Sequence, residues 1–418
     1  MTPISRDFAP PLKLIAPFFR WGVFFYVLAM LALLFFEPTF SYQQMSVAGW
    51  LHLFLLGFVM MIIFGAMAQL IPVVLEVGHA VVDVYYVILP LLGIGASMMV
   101  VGFWLMPALL PYGGLLVLVA MIIFAVENIA TLKKTELRTL TVKTVAWSNG
   151  YLLLGILTGF ALALGLAGNL GIDISLMLKA HVYAVLAGYV VLTIMGLSLT
   201  LIPMFSLAHG FEQKAVERAF TLVIVGVALV FMGALIGFEW LMFVGYTVSF
   251  AGLVFYLWQM YIIYKLTVRK EMDVWAKSMI FAFVSLILSM TLGLLYFLTE
   301  IETVLHASVW FLLLGFVSSF ITGHLYKIVP FLVWFERFAP LVGKEKVPML
   351  HEMYSKEGAA MMFWFTVSGV LLGGVGLLFE SELFFKAGGS FLLFGAIFLF
   401  ITMRKMLAYG SEKLKIKN

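Results

Sequence analysis

Cysteine is absent from this chain of 418 residues, and charge is scarce: only 11% of the residues are Asp, Glu, Lys or Arg. Without a thiol there is no disulfide, no iron–sulfur cluster, no thiolate metal site and no cysteine nucleophile, so any metal must be held by His, Met or oxygen ligands. So few charges cannot cover a soluble surface. A Walker motif, a nucleophile elbow, a zinc-protease motif and a Gly-rich dinucleotide loop are missing too, and the basic residues never cluster as a nucleic-acid surface requires.

Apolar sequence fills the place of charge: 64% of the residues are hydrophobic and the mean hydropathy is +1.13. A membrane-crossing helix needs about 20 apolar residues. Runs between turn and charge punctuation mark twelve spans, at Leu14–Phe36, Trp50–Leu75, Tyr85–Leu105, Gly114–Ile129, Val145–Leu166, Leu178–Phe205, Ala219–Ile236, Glu239–Tyr264, Met279–Leu298, Val304–Phe335, Ala360–Phe379 and Leu383–Met403. The runs are continuous rather than alternating, and backbone groups cannot go unpaired in lipid, so helices are expected and a barrel is excluded. The expected fold is all-α, a polytopic bundle of twelve transmembrane helices forming one domain over residues 1–418. The first run is too long for a cleaved signal and reads as a retained span.

The few basic residues orient this bundle. They gather after spans 4, 6, 8 and 10 and at both ends of the chain, for example Lys133, Lys134 and Arg138, then Lys265, Arg269 and Lys270. The opposite connections carry only Lys179 and Lys386, beside acids such as Glu37, Asp173, Glu300 and Glu380. The positive-inside rule then puts both termini in the cytoplasm of a bacterial-type inner membrane. The same asymmetry explains the net charge of +4 and the pI near 9.0 with no nucleic-acid partner.

Three spans share a pattern. Span 2 runs from His52 through Gly57 to Gly65-Ala-Met-Ala-Gln-Leu-Ile-Pro72, span 6 from His181 through Gly188 to Gly196 and Pro203, and span 10 from His306 through Gly315 to Gly323 and Pro330. With 37 Gly and 13 Pro in the chain, about one proline should have Gly seven positions before it by chance. Three do, all in His-headed spans and about a third of the chain apart. A threefold pseudo-repeat of four-helix units is expected, over about 1–135, 136–270 and 271–418. The glycines and prolines suit close packing and helix termination. An imidazole in an apolar bundle needs a partner, which makes the three histidines candidates for function.

Twelve spans, a threefold repeat and histidines on spans 2, 6 and 10 together resemble subunit I of the haem–copper oxidases and nitric oxide reductases. The resemblance implies His52 and His306 as axial ligands of a b-type haem, and His181, with Tyr183 nearby, as a ligand of the active-site metal, copper or another transition metal. Span 7, however, has no histidine where the family has a His-His pair. Span 10 has the single His306 in place of His-x-His, and only Lys386 stands where the family's arginine pair receives haem propionates. A complete binuclear centre cannot be assembled from these residues, which leaves one bis-histidine haem or one five-coordinate haem.

A second group of histidines lies toward the proline ends: His79, His209 and His351, with Glu76 or Glu352 beside them, would make a chemically sensible metal site, and His324, one residue after Gly323, lies toward the same side. Loop histidines capping helix ends are the alternative. The connection from Lys327 to Pro348, with three prolines, is expected to hold a fixed shape. Arg20 in span 1 and Glu127-Asn128 in span 4 are further polar intrusions. Pairs such as Met60-Met61 suit Cu(I) but also ordinary filling of apolar helices. Three functions remain open. One is a redox or gas-reactive haem protein acting with quinol, a cytochrome or another membrane subunit. Another is a non-enzymatic haem or copper binding, sensing, delivery or assembly protein, similar in outline to the NnrS-type membrane family. The third is a transporter on the same scaffold.

Overall fold

The computed structural model describes residues 10–411. Twelve helices in it are long and apolar enough to cross a membrane: α1 (Leu12–Phe35), α2 (Met45–Leu75), α3 (Val84–Trp104), α4 (Pro107–Leu132), α5 (Leu140–Leu166), α6 (Ile174–Ser206), α7 (Lys214–Ile236), α8 (Glu239–Lys265), α9 (Val274–Thr299), α10 (Glu302–Arg337), α11 (Lys356–Leu378) and α12 (Glu382–Ala408). No strand occurs among the described residues. Each helix coincides with one apolar run, but several start earlier than the run does. Thr139, Asp173 and Asp273 accept from the backbone N–H of Val142, Leu176 and Ala276, so α5, α6 and α9 begin up to five residues upstream of Val145, Leu178 and Met279. A polar N-cap satisfies first-turn donors that lipid cannot, and hydropathy alone is blind to it.

The chain divides into two compact units. One comprises Met67–Lys270, the other Pro10–Ala66 together with the described residues from Glu271 onward. In the first unit α3 packs on α4, and α7 on α8, at glycines. A Cβ on Gly95 would stand 3.0 Å from the carbonyl oxygen of Gly113, and one on Gly226 would stand 2.7 Å from that of Gly245. In the second unit α11 meets α12 the same way, with 2.8 Å between a Cβ on Gly388 and the carbonyl oxygen of Gly369. Backbones this close gain dispersion and need no hydrophobic drive, as helix pairs in lipid require.

A second kind of contact recurs three times. A Cβ at Gly57 and Gly65 of α2 would strike Phe25 and Phe18 of α1; at Gly188 and Gly196 of α6, Tyr151 and Thr144 of α5; at Gly315 and Gly323 of α10, Ser285 and Ser278 of α9. The two contacts are eight residues apart on α2, α6 and α10 and seven apart on α1, α5 and α9. The first glycine of each pair lies inside a π-helical stretch, at Leu53–Met60, Ala184–Val191 and Phe311–Val317. A widened turn of this kind leaves no mark on hydropathy. Pro72, Pro203 and Pro330 then sit inside the far ends of the same helices, where each removes the N–H that the carbonyl four residues back would have received.

Candidate functional site

At the histidine end of the second unit, His52 lies two turns into α2. Its Nδ1 is 2.8 Å from the carbonyl oxygen of Ala48, one turn back. An Nδ1–H donated to that carbonyl fixes the tautomer in which Nε2 carries the lone pair, the arrangement usual for a metal-binding imidazole. His306, one turn into α10, is 7% exposed, and its Nδ1 has no hydrogen-bond partner. Two aromatic residues of the α1–α2 connection enclose it. Phe40 stacks on the imidazole at 4.9 Å between ring centroids, and Tyr42 meets it edge-on at 4.8 Å while its hydroxyl donates to the His306 carbonyl oxygen at 3.4 Å. Burial, reinforced by the nearby Glu302 carboxylate, pushes the Tyr42 phenol above its usual range. Along α2, Trp50 stacks on Phe54, and Tyr26 on Phe58 with centroids 4.3 Å apart. Lys386 donates to the carbonyl oxygens of Leu34 and Phe36 at 2.8 and 2.7 Å, so it caps the end of α1.

His181 has a different setting in the first unit. Its Nδ1 is 2.8 Å from the carbonyl oxygen of Gly155 on α5, and its ring fills the space left by Gly159. In the registers fixed by the π-stretch glycines, His181 (seven before Gly188) matches Trp50 (seven before Gly57) and Ser308 (seven before Gly315). All three do the same thing. Trp50 Nε1 donates to the Ala29 carbonyl oxygen at 2.9 Å and Ser308 Oγ to that of Ser289 at 2.8 Å. Ala29, Gly155 and Ser289 each lie four residues past Phe25, Tyr151 and Ser285. His52, His181 and His306 precede their glycines by five, seven and nine residues, so they are out of register with one another. A step of two residues turns a helix by about 200°.

The histidines of the proposed second group also have separate surroundings. His79 is held at both ring nitrogens, Nδ1 at 2.9 Å from Glu127 Oε1 and Nε2 at 2.6 Å from the carbonyl oxygen of Ala68. Ala68 is the residue whose helical donor Pro72 removes, so the imidazole restores the missing bond. Glu127 Oε1 also receives Thr131 Oγ1 at 2.7 Å and the Ala80 N–H at 3.1 Å, while Oε2 has no partner. Both side chains are 2% exposed. Donation from both ring nitrogens would satisfy the Glu127 carboxylate and the Ala68 carbonyl together. His209 is exposed, with Nδ1 3.1 Å from the Leu207 carbonyl oxygen. His351 is exposed as well, while Glu352 accepts from the Met349 N–H at 2.8 Å. His324 is buried, its Nδ1 2.8 Å from the Phe320 carbonyl oxygen. Among the described residues no group of three or more His, Asp or Glu is placed to hold a metal ion.

Two links escaped the sequence reading. Glu127 and His79 stand 48 residues apart, yet a carbonyl freed by Pro72 near a buried carboxylate asks for a donor between them. Lys327 of α10 pairs with Asp273 at 2.6 Å, and its ammonium lies 5.6 Å from the Trp275 ring centroid, which ties the start of α9 to α10. The expected connection from Lys327 is in fact helical as far as Arg337, and the remainder is tied back to that helix by Trp334 Nε1, which donates to the Pro348 carbonyl oxygen at 3.0 Å. Arg20 is exposed on α1. No protein-family model matches this chain, and no curated protein matches it. The functional reading therefore rests on the residues themselves.

Proposed function

We propose that this multi-pass membrane protein binds a b-type haem through the imidazoles of His52 and His306 and uses it for electron transfer or for chemistry on oxygen or nitric oxide. The observation that carries the reading is His306, a buried imidazole nitrogen with no hydrogen-bond partner in an aromatic enclosure. Such a group is costly unless something completes it. His52, in the same unit, has the tautomer a metal ligand needs, and the donor set of two neutral imidazoles in apolar surroundings suits haem iron. Haem, if bound, would supply a one-electron couple and, where only one of the two imidazoles holds it, a place for a diatomic gas. The chain's own part is to orient His52 through Ala48, to keep water from His306 with Phe40 and Tyr42, and to keep the Tyr42 proton in place. The recurrent glycine contacts support a build of three four-helix units. The charge asymmetry supports cytoplasmic termini in a bacterial inner membrane.

A non-enzymatic reading, haem or copper binding and delivery, is favoured by one specific feature: α7 offers no histidine. Purified protein, expressed with ample haem, should give a haem spectrum that His52→Ala and His306→Ala each abolish. A reduced spectrum indifferent to carbon monoxide fits electron transfer, and one shifted by it fits an open gas site. Protein that stays colourless under those conditions would sink the haem reading.

A further inference from the structure

The first unit contains the same local structure twice, and one copy lacks a part. Glu127 lies 14 residues after Gly113, and Gln259 lies 14 residues after Gly245, the two glycines that meet Gly95 and Gly226. Thr135, after α4, donates to the carbonyl oxygen of Leu75 at 2.8 Å; Val268 and Arg269, after α8, donate their N–H groups to that of Ser206 at 3.2 Å. Leu75 and Ser206 each lie three residues past a motif proline. Both chains then leave their helices by the same left-handed step four residues past the proline, at Glu76 (φ 54°) and Leu207 (φ 58°).

In the first copy the loop returns, and His79 sits on Glu127 and on the carbonyl that Pro72 frees. In the second the loop stays out. His209, six residues past Pro203, is exposed. Gln259 is 0% exposed, and neither its Oε1 nor its Nε2 has a partner. It lies three residues past Tyr256, whose hydroxyl bonds Ser198 at 3.0 Å, and so on the face of α8 turned to α6. Pro203 removes the helical donor to the Leu199 carbonyl, one residue on from Ser198. The Ser206 hydroxyl, 4% exposed, also lacks a partner. A fully buried amide with both atoms unmatched is an incomplete site.

We propose that residues 207–213 are a latch that closes to seat the His209 imidazole on Gln259, as His79 sits on Glu127, and opens to uncover the proline end of α6. A neutral imidazole has one donor and one acceptor, and the glutamine amide has the complement of both. Glutamine in place of glutamate removes the charge from the contact, and neutral hydrogen bonds are about half as strong as charge-assisted ones. The first copy is a permanent clamp; the second is weak enough to release. The inference is independent of haem.

The absence of cysteine makes the test direct. In the full-length chain, a His209→Cys, Gln259→Cys pair should be joined by a short bifunctional thiol cross-linker about tenfold faster than His209→Cys paired with Tyr261→Cys, whose position on α8 is exposed, because side chains that meet end to end leave their Cβ atoms too far apart for a direct disulfide but within the reach of such a linker. A His79→Cys, Glu127→Cys pair serves as the closed standard. If that standard bridges and the 209–259 pair reacts no faster than 209–261, the latch is wrong. Amide exchange over 207–213 should also rise about twofold or more on Gln259→Leu, since the closed form alone protects those amides. Unchanged exchange would show the amide to be satisfied by water, with no latch.

Discussion

Removing His79 should be among the most destabilising single changes outside the glycine contacts. His79→Ala takes the charge partner from Glu127, whose side chain is 2% exposed, and strips the only imidazole donor from the Ala68 carbonyl. Breaking one side of a buried pair costs about 3–5 kcal/mol, and the orphaned carbonyl adds about 1–3 kcal/mol. Some of this overlaps, so about 4 kcal/mol is expected. Glu127→Ala should cost about as much, because it also frees the Thr131 hydroxyl and the Ala80 N–H. The His79→Leu, Glu127→Leu double variant removes both charges and restores apolar volume, so it should lose less than the two alanine variants added together, by about 2 kcal/mol or more. Equilibrium unfolding in mixed detergent micelles gives the three numbers. Single variants within about 1 kcal/mol of the parent, or strict additivity, would refute the argument that this pair is a buried and coupled clamp.

Gly226→Leu should prevent stable folding or cost about 3 kcal/mol or more, since its Cβ meets Ser249 and the Gly245 carbonyl, whereas Gly150→Ala, with nothing within 4 Å, should be neutral or stabilising by about 0.5–1 kcal/mol; thermal melts of the two decide it. Ser308→Ala and His181→Ala should each cost about 1 kcal/mol in unfolding measurements as lost interhelical bonds, and His181→Ala should leave the haem content of purified protein unchanged. Because the folded state holds the Tyr42 phenol above its ordinary range, the contribution of that group to stability is constant below pH about 10 and is lost as pH rises further. Tyr42→Phe should therefore flatten part of the alkaline fall in stability, read as unfolding midpoints from pH 8 to 11.

The twelve helices were legible because lipid imposes one rule on every span: about 20 apolar residues, all backbone groups paired within the helix. Helix starts were less legible, since Asp173, Asp273 and Thr139 look like loop residues until their side chains are seen to accept from the first turn. The glycine pattern was visible, but its meaning as contact with Phe25, Tyr151 and Ser285 needed the neighbouring helix. The link of His79 to Glu127 spans 48 residues, and no periodicity connects a loop to a helix across that distance. What could have revealed it is an accounting of donors: Pro72 deprives Ala68 of one, and in a membrane each such debt must be met nearby.

The three motif histidines show why register matters more than level. Read along the sequence, His52, His181 and His306 head three similar helices and look alike. Counted from the glycines that contact the preceding helix, they occupy three different positions, and His181 shares its position with Trp50 and Ser308. A tryptophan and a serine have in common with histidine only a donor able to reach a backbone carbonyl, and all three reach the equivalent one. That position is thus one of helix attachment, filled by whichever donor fits the gap. His306 has no such bond, and Nδ1 of His52 is spent within its own helix. The unpartnered Nδ1 of His306 is therefore the atom that the proposed haem would have to account for.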